Sequence, residues 1–271
     1  MLKPNQLKKR LKDGEIVTGA WCVIPSAEVI SVLGSAGLDF VIIDMEHGAH
    51  SFETAAGMIR AAETEGCAPL VRVPQNDEAQ ILRALDIDAA GVIVPHIESK
   101  ADAEKAISYA KYHPLGQRGF SPFTRAGRYS MNNVKTHSQA QNKETIVTLI
   151  LEGKQGIENL DQILSIDNVT EKIDIIYIGA YDLSQAVGFP GQVDHPEVRQ
   201  YMEECVQKIR NSGIAPGGYV AKNKDDMVWM RDIGMQFITL MPDCTVLYHA
   251  YNDLYNDFQH VGSCFKPDRT L

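Results

Sequence analysis

The chain has 271 residues, 44% hydrophobic and 23% charged, a size and balance that suit one α/β unit with a full core and exclude an extended, core-poor chain. A formal net charge of −9 excludes a broad nucleic-acid-binding face but leaves room for a local basic pocket that takes an anionic substrate. Five cysteines, at 22, 67, 205, 244 and 264, contain no C-x-x-C pair and are odd in number, which argues against a disulfide framework or a zinc site and for a reducing compartment.

Taken in chain order, MLKPNQLKKR has no apolar run behind it that could serve as a signal peptide. No later stretch approaches the roughly 18 to 20 apolar residues needed to span a bilayer. A cytoplasmic protein without a membrane partner is the expectation. Short apolar runs then alternate with amphipathic segments: VTGAWC (17–22), DFVIID (39–44), APLVRV (68–73), AGVIVP (90–95), TIVTLILE (145–152), IDIIYIG (173–179), IAPGGYV (214–220) and MQFITLM (235–241). Short Val- and Ile-rich runs suit strands buried on both faces of a parallel sheet. Helical spacing and N-terminal Ser, Asn or Asp mark segments at 26–36, 76–85, 100–112, 156–164, 195–212 and 224–233. Residues 247–258 read as a further helix and GSCFKPDRTL as a tail. Eight strands with intervening helices predict a (β/α)8 TIM barrel, a single domain over 1–271, with an open doubly wound sheet as the competitor. About thirty residues separate the helix ending near Tyr112 from the next strand, and connections that long are often functional.

Barrel enzymes carry their reacting groups where strands end. The polar residues closing the apolar runs are Asp44 (followed by Met45, Glu46 and His47), Arg72, Glu152, Asp182 just after Gly179, and Asp243. Glu152 and Asp182 are metal candidates, because two carboxylates suit a hard cation that keeps water or substrate oxygens in its open positions. The competing reading pairs Glu152 with a Lys or Arg and makes Asp182 a helix cap. His47 and Asp44 form an acid–base candidate, a carboxylate orienting an imidazole; the alternative is a loop histidine with an ordinary hydrogen bond. Arg72, inside an apolar strand, must face a partner: a substrate carboxylate or enolate, or an internal acid. Arg118, Arg125 and Arg128 in the long connection either guard an entrance for anions or form a solvated basic loop. No G-x-S-x-G, Walker or H-E-x-x-H motif is present, and Lys222 in AKNKDD reads as a solvated lysine rather than a Schiff base.

Taken together, NQLKKRLKDGE with GAW, GLDFVIIDMEHG, PLVRVP, AAGVIVPHIES, GQRGF…R, LEGKQGIENLDQIL, IYIGAYDLSQAVGFPG…HPEV and GMQFITLMPDCTVL resemble the HpcH/HpaI aldolase family, over almost the whole chain. These are metal-dependent pyruvate aldolases of the phosphoenolpyruvate/pyruvate barrel superfamily. The resemblance implies Glu152 and Asp182 as ligands of Mg²⁺, Mn²⁺ or Co²⁺, and His47 with Asp44 as the acid–base pair. It implies Arg72 as the residue holding the 2-oxo acid and its enolate, and Trp21 as an aromatic neighbour of the site. Tyr181 and Asp243 complete the expected substrate contacts. It further implies a homohexamer whose C-terminal helices exchange between neighbours, and a reversible aldol cleavage of a 4-hydroxy-2-oxo acid to a 2-oxo acid such as pyruvate and an aldehyde.

The sequence departs from the family pattern at Ile150, where a polar residue, often Gln, is usual, at Tyr181, where a small residue is usual, and at Met241-Pro242, in place of a Gly-containing turn. These changes leave the metal and enolate groups in place and leave the substrate open. Alternatives on the same groups are an oxaloacetate-type decarboxylase, which would not need His47 and Asp44, and a CoA-ester lyase, for which no nucleotide-binding element is evident. A barrel kept only for binding or assembly is the non-enzymatic alternative.

Overall fold

The protein is described by a computed structural model covering residues 4–130 and 133–264. Eight parallel strands close in sequence order: β1 (Val17–Cys22), β2 (Phe40–Asp44), β3 (Ala68–Arg72), β4 (Gly91–Val94), β5 (Ile146–Leu151), β6 (Ile175–Ile178), β7 (Ala215–Ala221) and β8 (Phe237–Leu240). Val17 pairs with Phe237 and Ala20 with Leu240, so β8 returns to β1 and the barrel leaves no edge. The open doubly wound alternative is thereby removed.

Period-two alternation divides every strand between two apolar regions. Outward residues such as Val41, Ile43, Val71, Val92, Val147 and Ile176 pack under the helices. Inward residues, among them Val17, Phe40, Ile42, Leu70, Ile93, Ile146, Ile175 and Phe237, fill the barrel itself. Phe40 and Phe237 stack face to face at 3.9 Å in its lower half. That stack depends on Gly19, since a Cβ there would lie 2.3 Å from the Phe40 ring. Helix α1 (Gln6–Lys12) closes the end where strands begin, inserting Leu7 and Leu11 into the same interior cluster.

Between strands run α2 (Ala27–Ser35), α3 (Phe52–Thr64), α4 (Glu78–Asp86), α5 (Lys100–Ala110), α6 (Val134–Glu144), α7 (Lys154–Glu158), α8 (Leu160–Leu164), α9 (Val169–Lys172), α10 (Ala180–Ala186), α11 (Pro196–Asn211) and α12 (Lys224–Ile233), and α13 (Asp243–Cys264) follows β8. Side chains of Ser26, Ser51, Asp77, Ser99 and Asn223 accept N–H groups of the first turns of the helices they precede, as N-cap residues do. The expected helix at 156–164 is broken at Asn159, whose side chain donates to the Glu98 carbonyl instead. The expected tail begins later than the sequence suggested: α13 extends to Cys264, and 265–271 lie outside the described residues. Among the described residues, Cys22, Cys67, Cys205 and Cys244 are free, and no helix is long and apolar enough to cross a membrane.

The long connection from α5 to β5 contains α6 and lies at the end where strands start. Its arginines each face an acid rather than guarding the strand-end face, and Arg128 keeps its side chain 45% exposed to solvent. The Arg118 side chain is 1% exposed, pairs with Asp86 at 2.8 Å and lies over the Tyr112 ring. Arg125 pairs with Glu63 and Asp88, and Arg128 reaches Asp88 at 3.8 Å. Buried guanidinium groups need such partners.

Candidate active site

Inward alternation that buries Phe40 and Ile42 on β2 also points Asp44 inward at the strand's last position, and on β3 it does the same for Arg72. The two are register partners on adjacent strands. Asp44 accepts from Arg72 Nε at 2.8 Å and from Nη2, a two-point clamp, and both side chains are nearly buried. Asp44 Oδ1 also takes the backbone N–H groups of Glu46 (3.1 Å) and His47 (3.2 Å). Burial pushes the Asp44 carboxyl up, but the Arg72 hydrogen bonds and charge, with those two amides, outweigh it and hold the group below its ordinary range. The expected Asp44–His47 side-chain pair is therefore corrected: Asp44 orients Arg72, and only the backbone of His47 reaches it. The His47 imidazole is exposed at the rim, and among the described residues no hydrogen bond or ion pair joins it.

Arg72 continues the network. Its Nη1 lies 3.0 Å from Glu46 Oε2, and its guanidinium stacks 4.4 Å over the Trp21 ring. Trp21 in turn meets Tyr177 edge-on at 5.6 Å, and the Tyr177 hydroxyl shares a 2.8 Å hydrogen bond with Thr239. With Ile150, these side chains form an apolar floor beneath the charged groups.

Glu152 follows β5, and its side chain is only 15% exposed. Its close seat against the next strand depends on Gly179, where a Cβ would stand 2.7 Å from Glu152 Cβ. Glu152 Oε1 accepts the backbone N–H of His96 at 2.8 Å, and His96 Nδ1 lies 2.8 Å from the same oxygen. His96 Nε2 meets Glu46 Oε1 at 2.9 Å. Burial raises the Glu152 carboxyl above its ordinary value; Glu46 and Asp182 raise it further, while His96 opposes the shift. The expected Lys or Arg partner of Glu152 is thus replaced by a histidine. Asp182 stands exposed in the first turn of α10, where Gly179 is the N-cap, so Asp182 is not the cap.

Glu46 and Asp182 each lie near enough to Glu152 for their charge to act on its carboxyl, a repulsion that a cation beside Glu152 would relieve. Among the described residues no group of three or more His, Cys, Asp or Glu side chains is placed to hold a metal ion. The set fits an ion that takes two carboxylates and completes its shell with water or substrate oxygens.

The remaining expected contacts are placed as follows. Tyr181 is 51% exposed at the rim beside Asp182. Asp243 is buried and accepts the backbone N–H groups of Val23, Ile24 and Cys244, tying the β1 loop to the start of α13. Two network members escaped the sequence reading. Glu46 lay within D-x-E-H-G, and His96 directly follows the β4 run AGVIVP, where the strand-end rule should have picked it up. A cavity of about 570 Å³ lies at the opposite end, bordered by Arg10, Asp39, Glu63 and Asp88. Asp39, Glu63 and Asp88 there are already paired with Arg10, Arg125 and Arg128.

Residues 18–250 match the HpcH/HpaI aldolase/citrate lyase family. The chain belongs to that family. It is 31% identical over 264 residues to an Escherichia coli 4-hydroxy-2-oxo-heptane-1,7-dioate aldolase, covering 97% of this chain and 98% of that one. A 5-keto-4-deoxy-D-glucarate aldolase from Shigella boydii serotype 18 is 30% identical, with 94% and 97% covered. The crystal structure of a member of the HpcH/HpaI family from Burkholderia cenocepacia J2315 superposes with a TM-score of 0.85 at 28% identity, over 94% of this chain and 99% of that chain.

Proposed function

We propose that the protein is a divalent-metal-dependent carbon–carbon lyase that reversibly cleaves a 4-hydroxy-2-oxo acid to pyruvate, or a related 2-oxo acid, and an aldehyde. The lyase class rests on the family and on its aldolase relatives. The observation that carries the reaction is the Asp44–Arg72 clamp beside Glu152 at the strand-end face.

Cleavage of the C3–C4 bond turns its electron pair into the C2–C3 double bond and moves the carbonyl π pair onto the former keto oxygen, leaving an enolate charged there. Arg72 presents a fixed positive charge to that oxygen and to the adjacent carboxylate. Of its five N–H donors, Asp44 takes two and Glu46 faces one, which leaves donors on Nη1 and Nη2 for the substrate. Because Asp44 already orients the guanidinium, little reorganisation accompanies charge development. Trp21, Ile150 and Tyr177 keep water from beneath it and so strengthen the interaction. Glu152 and Asp182 would hold the ion, Mg²⁺, Mn²⁺ or Co²⁺, which when bound supplies Lewis-acid polarisation of the keto oxygen. His47, free at the rim, takes the proton of the 4-hydroxyl as the aldehyde forms, directly or through water. Tyr181 borders the aldehyde side, and Asp243 sets the loop after Trp21.

The whole chain, 1–271, works as one barrel domain in an intracellular homohexamer. Support for assembly comes from α13, where Leu247, Tyr251, Leu254 and Phe258 form an exposed apolar row, 43% to 70% open, at helical spacing. A second copy of the chain, exchanging the same helix, would cover it.

The test is incubation with a panel of 4-hydroxy-2-oxo acids, following pyruvate release with and without chelator. Metal-dependent release from at least one member is expected. Absence of release across neutral, phosphorylated and dicarboxylate members, with folded protein, would refute the aldolase reading.

A further inference from the structure

Leaving β2, the chain makes the turn that carries Glu46 and His47 before Ser51 caps α3. Asp44 fixes the near end of that turn. Its Oδ1 accepts the N–H groups of Glu46 and His47, and its carbonyl accepts the N–H of Gly48 at 3.0 Å. The far end carries a histidine that no step of the reaction uses. His50 Nε2 lies 3.1 Å from the carbonyl oxygen of Cys22. A carbonyl only accepts, so Nε2 carries the hydrogen of this bond whatever the charge of the ring.

Cys22 directly follows Trp21 and is the last β1 residue paired with β2, opposite Ile43. The peptide unit joining Cys22 to Val23 is held from both sides. Its C=O takes the His50 N–H, and its own N–H donates to Asp243 Oδ1 at 3.0 Å. Asp243 Oδ2 accepts the next N–H, of Ile24, at 3.1 Å. His50 therefore ties the His47 turn to a loop that is itself anchored beyond β8. Gly48 makes room for the ring, since a Cβ there would stand 2.4 Å from His50 Cδ2 and Nε2. His50 Nδ1 is buried and has no hydrogen-bond partner among the described residues. Leaving a buried nitrogen unpaired costs stability, so stability alone does not account for a histidine at this position.

We propose that His50 is a positioning residue for proton transfer: by fastening the turn to the Cys22–Val23 peptide, it holds the His47 imidazole where the 4-hydroxyl reacts. This inference rests on the lyase reading, in which His47 takes that proton. The His47 side chain is exposed at the rim, so its place follows from its backbone, which Asp44 holds at one end of the turn and His50 at the other.

The experiment is steady-state cleavage of the 4-hydroxy-2-oxo acid that wild type turns over fastest, in wild type, His50→Phe, His50→Gln, His47→Gln and the double variant His47→Gln with His50→Phe. His50→Phe keeps a ring in the space and removes the donor. Its kcat should fall by about 10²-fold, as for a displaced reacting group. Its KM should stay within about twofold, because Arg72 still holds the substrate carboxylate. His50→Gln, which keeps an N–H at similar reach, should recover most of the rate. In the His47→Gln background, His50→Phe should change kcat by no more than about twofold, because its effect runs through His47. A His50→Phe rate equal to wild type overturns the inference, and so does His50→Gln as slow as His50→Phe. The same loss in both backgrounds also overturns it, since His50 would then serve the barrel and not His47. Wild-type turnover in His47→Gln removes His47 from proton transfer, and this inference with it, while leaving the aldolase reading in place. Absence of cleavage by wild type across the whole substrate panel is the failure of that reading itself.

Discussion

Gly179→Ala is the sharpest probe of how the barrel seats Glu152. Gly179 has φ −72° and ψ 94°, a conformation alanine adopts freely, so the substitution adds only a methyl group. That methyl carbon would lie 2.7 Å from Glu152 Cβ and 3.2 Å from Glu152 Cα. Reaching ordinary contact requires Glu152 to recede by on the order of 0.7 Å, and it sits on the chain of a buried strand that cannot simply bend away. Overpacking of this size costs about 1–3 kcal/mol of stability. A displacement approaching 1 Å in a positioned group lowers the rate by about 10²-fold. The assay is metal-dependent lyase turnover, set beside Mn²⁺ affinity and a urea unfolding curve. Loss of turnover and weaker Mn²⁺ binding in a variant that still folds cooperatively is the expected result. Wild-type affinity and rate would show that Glu152 is not the positioned ligand the close approach implies.

Three further outcomes follow from the same structure. Asp44→Ala leaves the buried Arg72 with Glu46 alone, so a loss of about 3–5 kcal/mol in urea unfolding is expected, and a loss under about 1 kcal/mol would contradict the clamp. Lys111 is fully buried, its Nζ donating to the carbonyls of Asn142 and Thr145, and burial, with Lys8 and Lys12 adding and Asp174 opposing, lowers its pKa to about 7. The unfolded chain holds that proton up to roughly pH 10.4, so stability rises with pH between about 7 and 10 and the cost is complete below 7. Thermal midpoints of Lys111→Met should lack that rise; profiles parallel to wild type would refute it. The pair Tyr251→Glu and Leu254→Glu on α13 should reduce the particle mass toward that of one chain in light scattering with unchanged circular dichroism, and an unchanged assembly would remove α13 from the interface.

The strands were legible because parallel strands buried on both faces read as short apolar runs. Helix α3 was less so, because its buried face includes Ala55 and Ala62 beside Met58 and Ile59 and contrasts weakly with its exposed one. Helix α6 was illegible by periodicity: its buried residues are His137, Gln141 and Asn142, and Asn142 is spent on the backbone of Tyr112. In the site, the rule of looking where strands end found Asp44, Arg72 and Glu152. It misassigned the partner of Asp44, because closeness in sequence favoured His47, whereas the β2–β3 register places Arg72 directly opposite. Glu46 and His96 act through contacts between strand ends distant in the chain, which spacing alone does not disclose.

The most direct test of the enolate account is exchange of pyruvate methyl protons for deuterium, followed by NMR with and without Mg²⁺ or Mn²⁺, in wild type, Glu152→Ala and Arg72→Lys. The account predicts metal-dependent exchange in wild type, its loss in Glu152→Ala, and a strong reduction in Arg72→Lys, where the two-point clamp on Asp44 cannot form. Absence of exchange in folded wild-type protein under either metal, or equal exchange in all three proteins, would contradict it.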